Sequence, residues 1–204
     1  MTQPDRTVFI VDDDRGILSS LKWLLESTSY QVETFSSADE FLERTCEPMP
    51  VSCLIVDVRM PDTSGLELLQ ILRSRGITIP AIVISGHADV PMAVNAMKTG
   101  ALDFLEKPFD EQDLLDRIEK ALSIDHVHRT QRDAREKLLQ RMRRLTRRER
   151  EVMDLVVQGK SNKDIANDLN ISNKTVEAHR AKVMKKMEAD SLARLVKSVL
   201  QLAS

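Results

Sequence analysis

Three consecutive aspartates, Asp12-Asp13-Asp14, stand just after an apolar run. A single Asp57 closes a second run, Ser85 closes a third, and Lys107 follows a fourth. Clustered carboxylates repel one another unless a hard cation such as Mg²⁺ neutralises them in a shell of oxygens. In such a site one carboxylate can attack a phosphoryl group, while the metal and an ammonium neutralise the charge developing on the phosphoryl oxygens. A serine hydroxyl beside it can then donate a hydrogen bond to the new phosphate. Taken singly these residues have simpler readings, since an aspartate after a strand often caps a helix and a Lys-Pro pair often makes a turn. Chemistry requires that their segments end in one place.

The elements able to bring them together are short apolar runs alternating with stretches of helical period, the pattern of βα units. Strands are predicted at Thr7 to Val11, Gln31 to Phe35, Val51 to Val56, Ala81 to Ser85 and Asp103 to Glu106. Between them Ile17, Leu18, Leu21, Leu24 and Leu25 mark one apolar helical face. Further helices are expected near Ala38 to Arg44, Gly65 to Arg75, Val90 to Thr99 and Glu111 to Leu122. The implied fold is α/β, a doubly wound five-stranded parallel sheet, which places ligands beyond the carboxyl ends of its strands. Asp12, Asp57, Ser85 and Lys107 all fall there.

The 204 residues suffice for two domains, and an aromatic content of only 3% leaves the cores to Leu, Ile, Val, Met and Ala. No stretch is long and apolar enough to span a bilayer, and Met1 to Arg6 carries no apolar signal segment, so a cytoplasmic protein is expected. Cys46 and Cys53 are too few for a disulfide framework and read as reduced thiols. The net charge of −2 conceals two opposed halves. Residues 1–124 hold 11 Lys and Arg against 21 Asp and Glu, while residues 125–204 hold 19 against 11. A basic half of that kind suits a phosphate backbone.

The acidic half resembles the receiver domains of bacterial two-component response regulators over about residues 5–124, with a flavodoxin-like fold. The likeness rests on Val11-Asp12-Asp13, Asp57-Val58-Arg59-Met60-Pro61, Ser85-Gly86-His87 and Phe104-Leu105-Glu106-Lys107-Pro108. It implies that Asp57 is the phosphoacceptor and that Asp13, Asp12, Asp57 and the backbone carbonyl of Arg59 hold Mg²⁺. Ser85 and Lys107 would bind the acyl phosphate, Phe104 would turn inward as Ser85 moves onto it, and Lys107-Pro108 would be cis. Asp14, beside the metal pair, reads as a helix cap.

In the basic half, Thr146 with Glu149 forms a capping box and Gly159 offers a helix stop. Helices are expected from there, over Asn162 to Leu169, from Ser172 or Asn173 to about Met187, and over Ser191 to Leu202. At about 100° per residue, Val176, Val183 and Met187 share the packed side of the third of these. Lys174, Ala178, Ala181 and Lys185 lie opposite, flanked by Glu177 and Lys182. Two alanines rimmed by lysines let a helix approach base edges while the cations reach phosphates.

This half resembles the LuxR-type helix-turn-helix output domains of response regulators of the FixJ and NarL kind, over about residues 140–204. The likeness is carried by Leu145-Thr146-Arg147-Arg148-Glu149, Asn162-Lys163-Asp164-Ile165-Ala166 and Thr175-Val176-Glu177-Ala178-His179-Arg180. It implies an all-α four-helix domain over 145–204 in which Lys163, Lys174, Thr175, Glu177, Ala178, His179, Arg180, Ala181, Lys182 and Lys185 face DNA, with Glu177, Ala178 and Ala181 nearest the bases. Expected partners are a sensor histidine kinase, double-stranded promoter DNA, a second copy of the chain on phosphorylation, and RNA polymerase.

The link, 125–144, reads either as a helix carrying the stripe Ala134, Leu138, Met142 and Leu145, able to pair between subunits, or as a tether, since Asp125 to Asp133 has only Val127 to bury. His126 and His128 lack carboxylate or thiol neighbours at zinc spacing and read as surface imidazoles. A phosphatase with an aspartyl-phosphate intermediate would want an acid two residues after Asp57, and Arg59 stands there. A small-molecule-sensing LuxR activator would want an apolar pocket where this rim has carboxylates.

Overall fold

Val, Ile, Leu and Phe runs form five parallel strands: β1 (Arg6–Val11), β2 (Gln31–Phe35), β3 (Val51–Asp57), β4 (Ala81–Ser85) and β5 (Asp103–Glu106), in the order β2-β1-β3-β4-β5. This computed structural model describes residues 6–45, 49–87 and 89–203, in two units, Met1–Arg129 and Thr130–Ser204. Cys46 lies outside the described residues, whereas Cys53 is a buried free thiol whose pKa burial pushes up.

The strands are apolar along their whole length because both sheet faces are covered. Phe9, Val11, Leu54 and Val56 pack on one side with α2 (Ala38–Arg44), α3 (Gly65–Ser74) and α4 (Val90–Thr99). On the other, Val8, Ile10, Cys53 and Ile55 meet Leu18, Leu21 and Leu25 of α1 (Arg15–Ser27) and Leu114, Ile118 and Leu122 of α5 (Glu111–Arg143). Asp14 caps α1, accepting from the amides of Gly16 and Ile17.

Helix α5 runs unbroken through most of the segment for which the sequence left a tether open. Its anchor in that stretch is Asp125 rather than Val127. Val127 is 48% exposed, while Asp125 is fully buried. Because β4 begins at Ala81, opposite Leu54, the amide of Ser52 precedes the β4 ladder, and Asp125 Oδ2 accepts from it at 2.8 Å. The same oxygen accepts from Arg129 Nε at 2.5 Å, and Arg129 Nη1 donates to the Met49 carbonyl at 2.7 Å.

The second unit is helical: α6 (Arg147–Val157), α7 (Asn162–Leu169), α8 (Asn173–Lys186) and α9 (Leu192–Ala203). Capping boxes at Thr146/Glu149 and Ser161/Asp164, and Ser172 as a cap, start the first three. Gly159 (φ 83°) follows the end of α6. Val152, Met153, Ile165, Val176, Val183, Met187 and Leu195 form the core. Leu138 is buried in it, with Met142 and Leu145 packed against it, so these members of the expected intersubunit stripe serve the chain's own fold.

Candidate functional site

The carboxyl ends of β1, β3, β4 and β5 carry the predicted rim. Asp12 follows β1 directly, with its amide donating to the Phe35 carbonyl at 3.2 Å. Asp57 is the last residue of β3, opposite Ile84, and Ser85 is the last of β4. The amide of Lys107 donates to the Ser85 carbonyl at 2.8 Å, and Lys107-Pro108 is cis. Lys107 Nζ lies between two carboxylates, donating to Asp12 Oδ2 and to Asp57 Oδ1 at 2.7 Å each. The second oxygen of each is held by backbone: Asp12 Oδ1 accepts from Asp14 N at 2.9 Å and Asp57 Oδ2 from Arg59 N at 2.5 Å.

Asp12 and Asp57 are buried, at 1% and 6% exposure, so the site has two desolvated carboxylates and one ammonium. Burial pushes the Asp12 carboxyl above the ordinary aspartate range, against the pull of Lys107 and of the Asp14 amide. Burial also works to lower the pKa of Lys107, but its contacts with Asp12 and Asp57 outweigh it and hold the pKa above the ordinary lysine value. Desolvation thus sets the direction at Asp12, and the two carboxylates set it at Lys107.

The remaining predicted rim residues lie around this pair. Asp13 and Arg59 are exposed, and among the described residues no three His, Cys, Asp or Glu side chains are close enough to hold a metal ion unaided. Asp12 and Asp57 meet on the lysine, and Asp13 is the exposed neighbour of Asp12. The Ser85 hydroxyl is within 3.3 Å of the amide and carbonyl of His87. Phe104, opposite Val83 on β5, is half-buried against the cluster containing Val56, Val58 and Met60.

One neighbour escaped sequence reading. The amide of Gly65 donates to the Val58 carbonyl at 3.1 Å, and a Cβ at Gly65 would come within 2.1 Å of the Asp57 carbonyl oxygen. Its signal was present only as a glycine opening a helix eight residues after the acid.

On α8 the geometry separates the predicted contacts. Lys174, Glu177, Ala178, Ala181, Lys182 and Lys185 are exposed, as is Lys163 on α7. Thr175, His179 and Arg180 are half-buried. Thr175 Oγ1 shares a 2.8 Å hydrogen bond with Ser172 Oγ, and Arg180 Nη1 donates to Asn162 Oδ1 at 2.5 Å. Arg180 thus ties α8 to the first turn of α7.

Residues 8–119 match the family model described as the response regulator receiver domain, and residues 143–199 match that of the bacterial regulatory proteins of the luxR family. The transcriptional regulatory protein FixJ of Azorhizobium caulinodans is 46% identical over 193 residues, covering 95% of this chain and 91% of that protein. FixJ of Rhizobium meliloti is 46% identical over 198 residues, with 96% of each covered. This chain belongs to the FixJ/NarL-type response regulators. TdiR, a transcriptional regulatory protein of Thauera aromatica, is 42% identical over 195 residues, 96% of this chain and 86% of that one. Among solved structures, the response regulator StyR gives a TM-score of 0.89 at 44% identity, with 97% of this chain and 99% of that one covered. Full-length FixJ from B. japonicum gives 0.59 at 38% identity, with 97% of each covered.

As a response regulator the chain is a transcriptional regulator with a flavodoxin-like receiver and a LuxR-type DNA-binding domain. Its class works with a histidine kinase and with DNA. No helix among the described residues is long and apolar enough to cross a membrane.

Proposed function

We propose that Asp57 accepts a phosphoryl group from the phosphohistidine of a sensor kinase, and that the phosphorylated receiver dimerises and thereby sets two DNA-binding domains on a promoter. The observation that carries this reading is the Lys107 ammonium held 2.7 Å from both Asp12 and Asp57 at the strand ends. A carboxylate oxygen attacks phosphorus in line with the departing imidazole nitrogen. Lys107 neutralises charge on the transferring oxygens, and the backbone amide of Arg59 orients the acceptor.

The donor set fits Mg²⁺: hard carboxylate oxygens, an unneutralised buried negative charge, and few enough protein ligands to leave the waters this ion retains. Asp12, Asp13, Asp57 and the carbonyl of Arg59 would hold it. Bound there, it would supply charge neutralisation to the phosphoryl oxygens. Ser85 would exchange its His87 contacts for the phosphate, and Phe104 would move into the space released.

The receiver, residues 5–124, presents Val90, Val94 and Met97 of α4 to solvent at helical spacing, an apolar row suited to a second copy at the α4 and β5 face. The link is 125–144 and the DNA-binding domain 145–204. There Glu177, Ala178 and Ala181 face base edges, Lys163, Lys174, Lys182 and Lys185 face phosphates, and Thr175, His179 and Arg180 border them. The last helix of each subunit makes the contact between DNA-bound domains, and RNA polymerase is the downstream partner. The protein works in the cytoplasm and is no turnover enzyme beyond self-catalysed phosphoryl transfer and slow hydrolysis, since Arg59 stands where a water-activating acid would be needed.

Gel-shift titration with promoter DNA tests this reading. Beryllofluoride, which mimics the acyl phosphate, should tighten binding of the parent chain and leave Asp57→Asn unchanged. Equal tightening of both would contradict it.

A further inference from the structure

At the end of the sheet opposite Asp57, the receiver contains a cavity of about 390 Å³, inside the range of roughly 300–1,000 Å³ usual for small-molecule sites. It lies under the segments that lead into β4 and β5. Its walls are aliphatic, with Leu69 and Leu72 of α3, Ile77 and Ile79 before β4, and Ile124 of α5. Four side chains of other chemistry line it, Arg73, His128, Thr78 and Thr99.

Arg73 is the informative one. It stands in the last turn of α3, where a cation suits the helix dipole. Its guanidinium forms no ion pair or hydrogen bond among the described residues, and it is the arginine of the cavity lining. Opposite it is Gly100, with φ of 104°. A Cβ at that position would lie 3.6 Å from Arg73 Nη1, at van der Waals distance, so Gly100 borders the guanidinium.

We propose that this cavity binds a small amphipathic carboxylate, with Arg73 taking the carboxylate and the aliphatic walls its tail. An unpaired guanidinium offers a bidentate fork that matches a carboxylate. The walls contribute burial of the tail, in proportion to the apolar area removed from water. A cationic amphiphile of the same length would meet like charge at the mouth, and a neutral one would leave the fork unpaired. Ligand in this place touches Ile124 and His128, one helical turn apart on α5 and beside the Asp125 and Arg129 anchor. The proposal does not depend on Asp57.

The test uses the full chain with labelled isoleucine methyls, titrated with octanoate and, separately, with octylamine and octanol. Octanoate should give saturable shifts at Ile77, Ile79 and Ile124 and none at Ile165 in the DNA-binding domain. Arg73→Gln should weaken octanoate about tenfold, while Arg75→Gln, outside the lining, should leave it unchanged. Arg73 is exposed, so the variant keeps its fold, and unchanged Ile10 and Ile55 methyl signals verify that. Octylamine and octanol should bind more weakly than octanoate. The proposal is overturned by an absence of saturable shifts, by shifts that reach Ile165, by equal octanoate affinity in Arg73→Gln, or by octylamine binding as tightly as octanoate.

Discussion

Replacing Asp125 with alanine should loosen the amino end of β3 by about 3 kcal/mol. Three consequences follow from the geometry. The buried Ser52 amide loses its acceptor, at a cost of about 1–3 kcal/mol for an unsatisfied buried donor. The charge-assisted bond to Arg129 disappears, and such bonds contribute about 1.5–3 kcal/mol. Against these, the Arg129 side chain is 23% exposed and regains water, which offsets part of the second loss and holds the total to the lower end of the roughly 3–5 kcal/mol of a fully stranded buried charge. Hydrogen exchange of the Val51–Asp57 amides is the assay. A loss of 3 kcal/mol corresponds to protection lowered by about a hundredfold. Asp125→Asn, which keeps an acceptor for Ser52, should lose less. Asp133→Ala, at an exposed position on the same helix, should stay within about 0.5 kcal/mol. If Asp125→Ala also stays within that limit, the anchor does not hold α5 to the sheet.

Three other expectations concern separate parts of the molecule. Gly65→Ala places a methyl 2.1 Å from the Asp57 carbonyl oxygen and 2.9 Å from Val56 Cγ2; it should destabilise the receiver by about 2 kcal/mol and slow phosphorylation by acetyl phosphate. An unchanged urea midpoint would count against that. The Lys186 contact holds the Glu149 carboxyl below the ordinary glutamate range, so its stabilisation is complete above that range and fades as pH falls through the lowered pKa. Thermal unfolding should show Glu149→Gln weaker than the parent at pH 7, with the gap closing towards about pH 3; a gap independent of pH would contradict the pairing. Glu177→Ala should relax preference at one base pair, removing discrimination of about 1–3 kcal/mol, and a gel-shift panel of altered sites that shows unchanged preference would exclude Glu177 from base reading.

Much of this architecture is legible in the residues because burial on both sheet faces leaves near-continuous apolar runs such as Val8 to Val11 and Cys53 to Val56. Asp12, Asp57, Ser85 and Lys107 are visible as a set because each ends or follows such a run. The caps Asp14, Thr146 and Ser172 are legible for a local reason, since each satisfies amides two or three residues ahead. What stays hidden depends on distant partners. Asp125 sits in a charged stretch that reads as solvated, and only the missing β4 partner of Ser52 makes its burial intelligible. Leu138 belongs to a stripe whose spacing fits a partner helix as well as the chain's own core. Arg180 lies about 40° from Val176 on α8, on the packed side rather than among the DNA-facing lysines, and its bond to Asn162 ties it to α7. Gly65 shows the same limit, because its need for a bare backbone comes from the carbonyl of Asp57.

Sedimentation of the parent chain and of Asp57→Asn, each with and without acetyl phosphate and Mg²⁺, tests the central claim most directly. The donor should shift the parent from monomer towards dimer and leave Asp57→Asn at its starting distribution. An identical donor-induced dimer fraction in both would contradict the assignment of Asp57 as the switch.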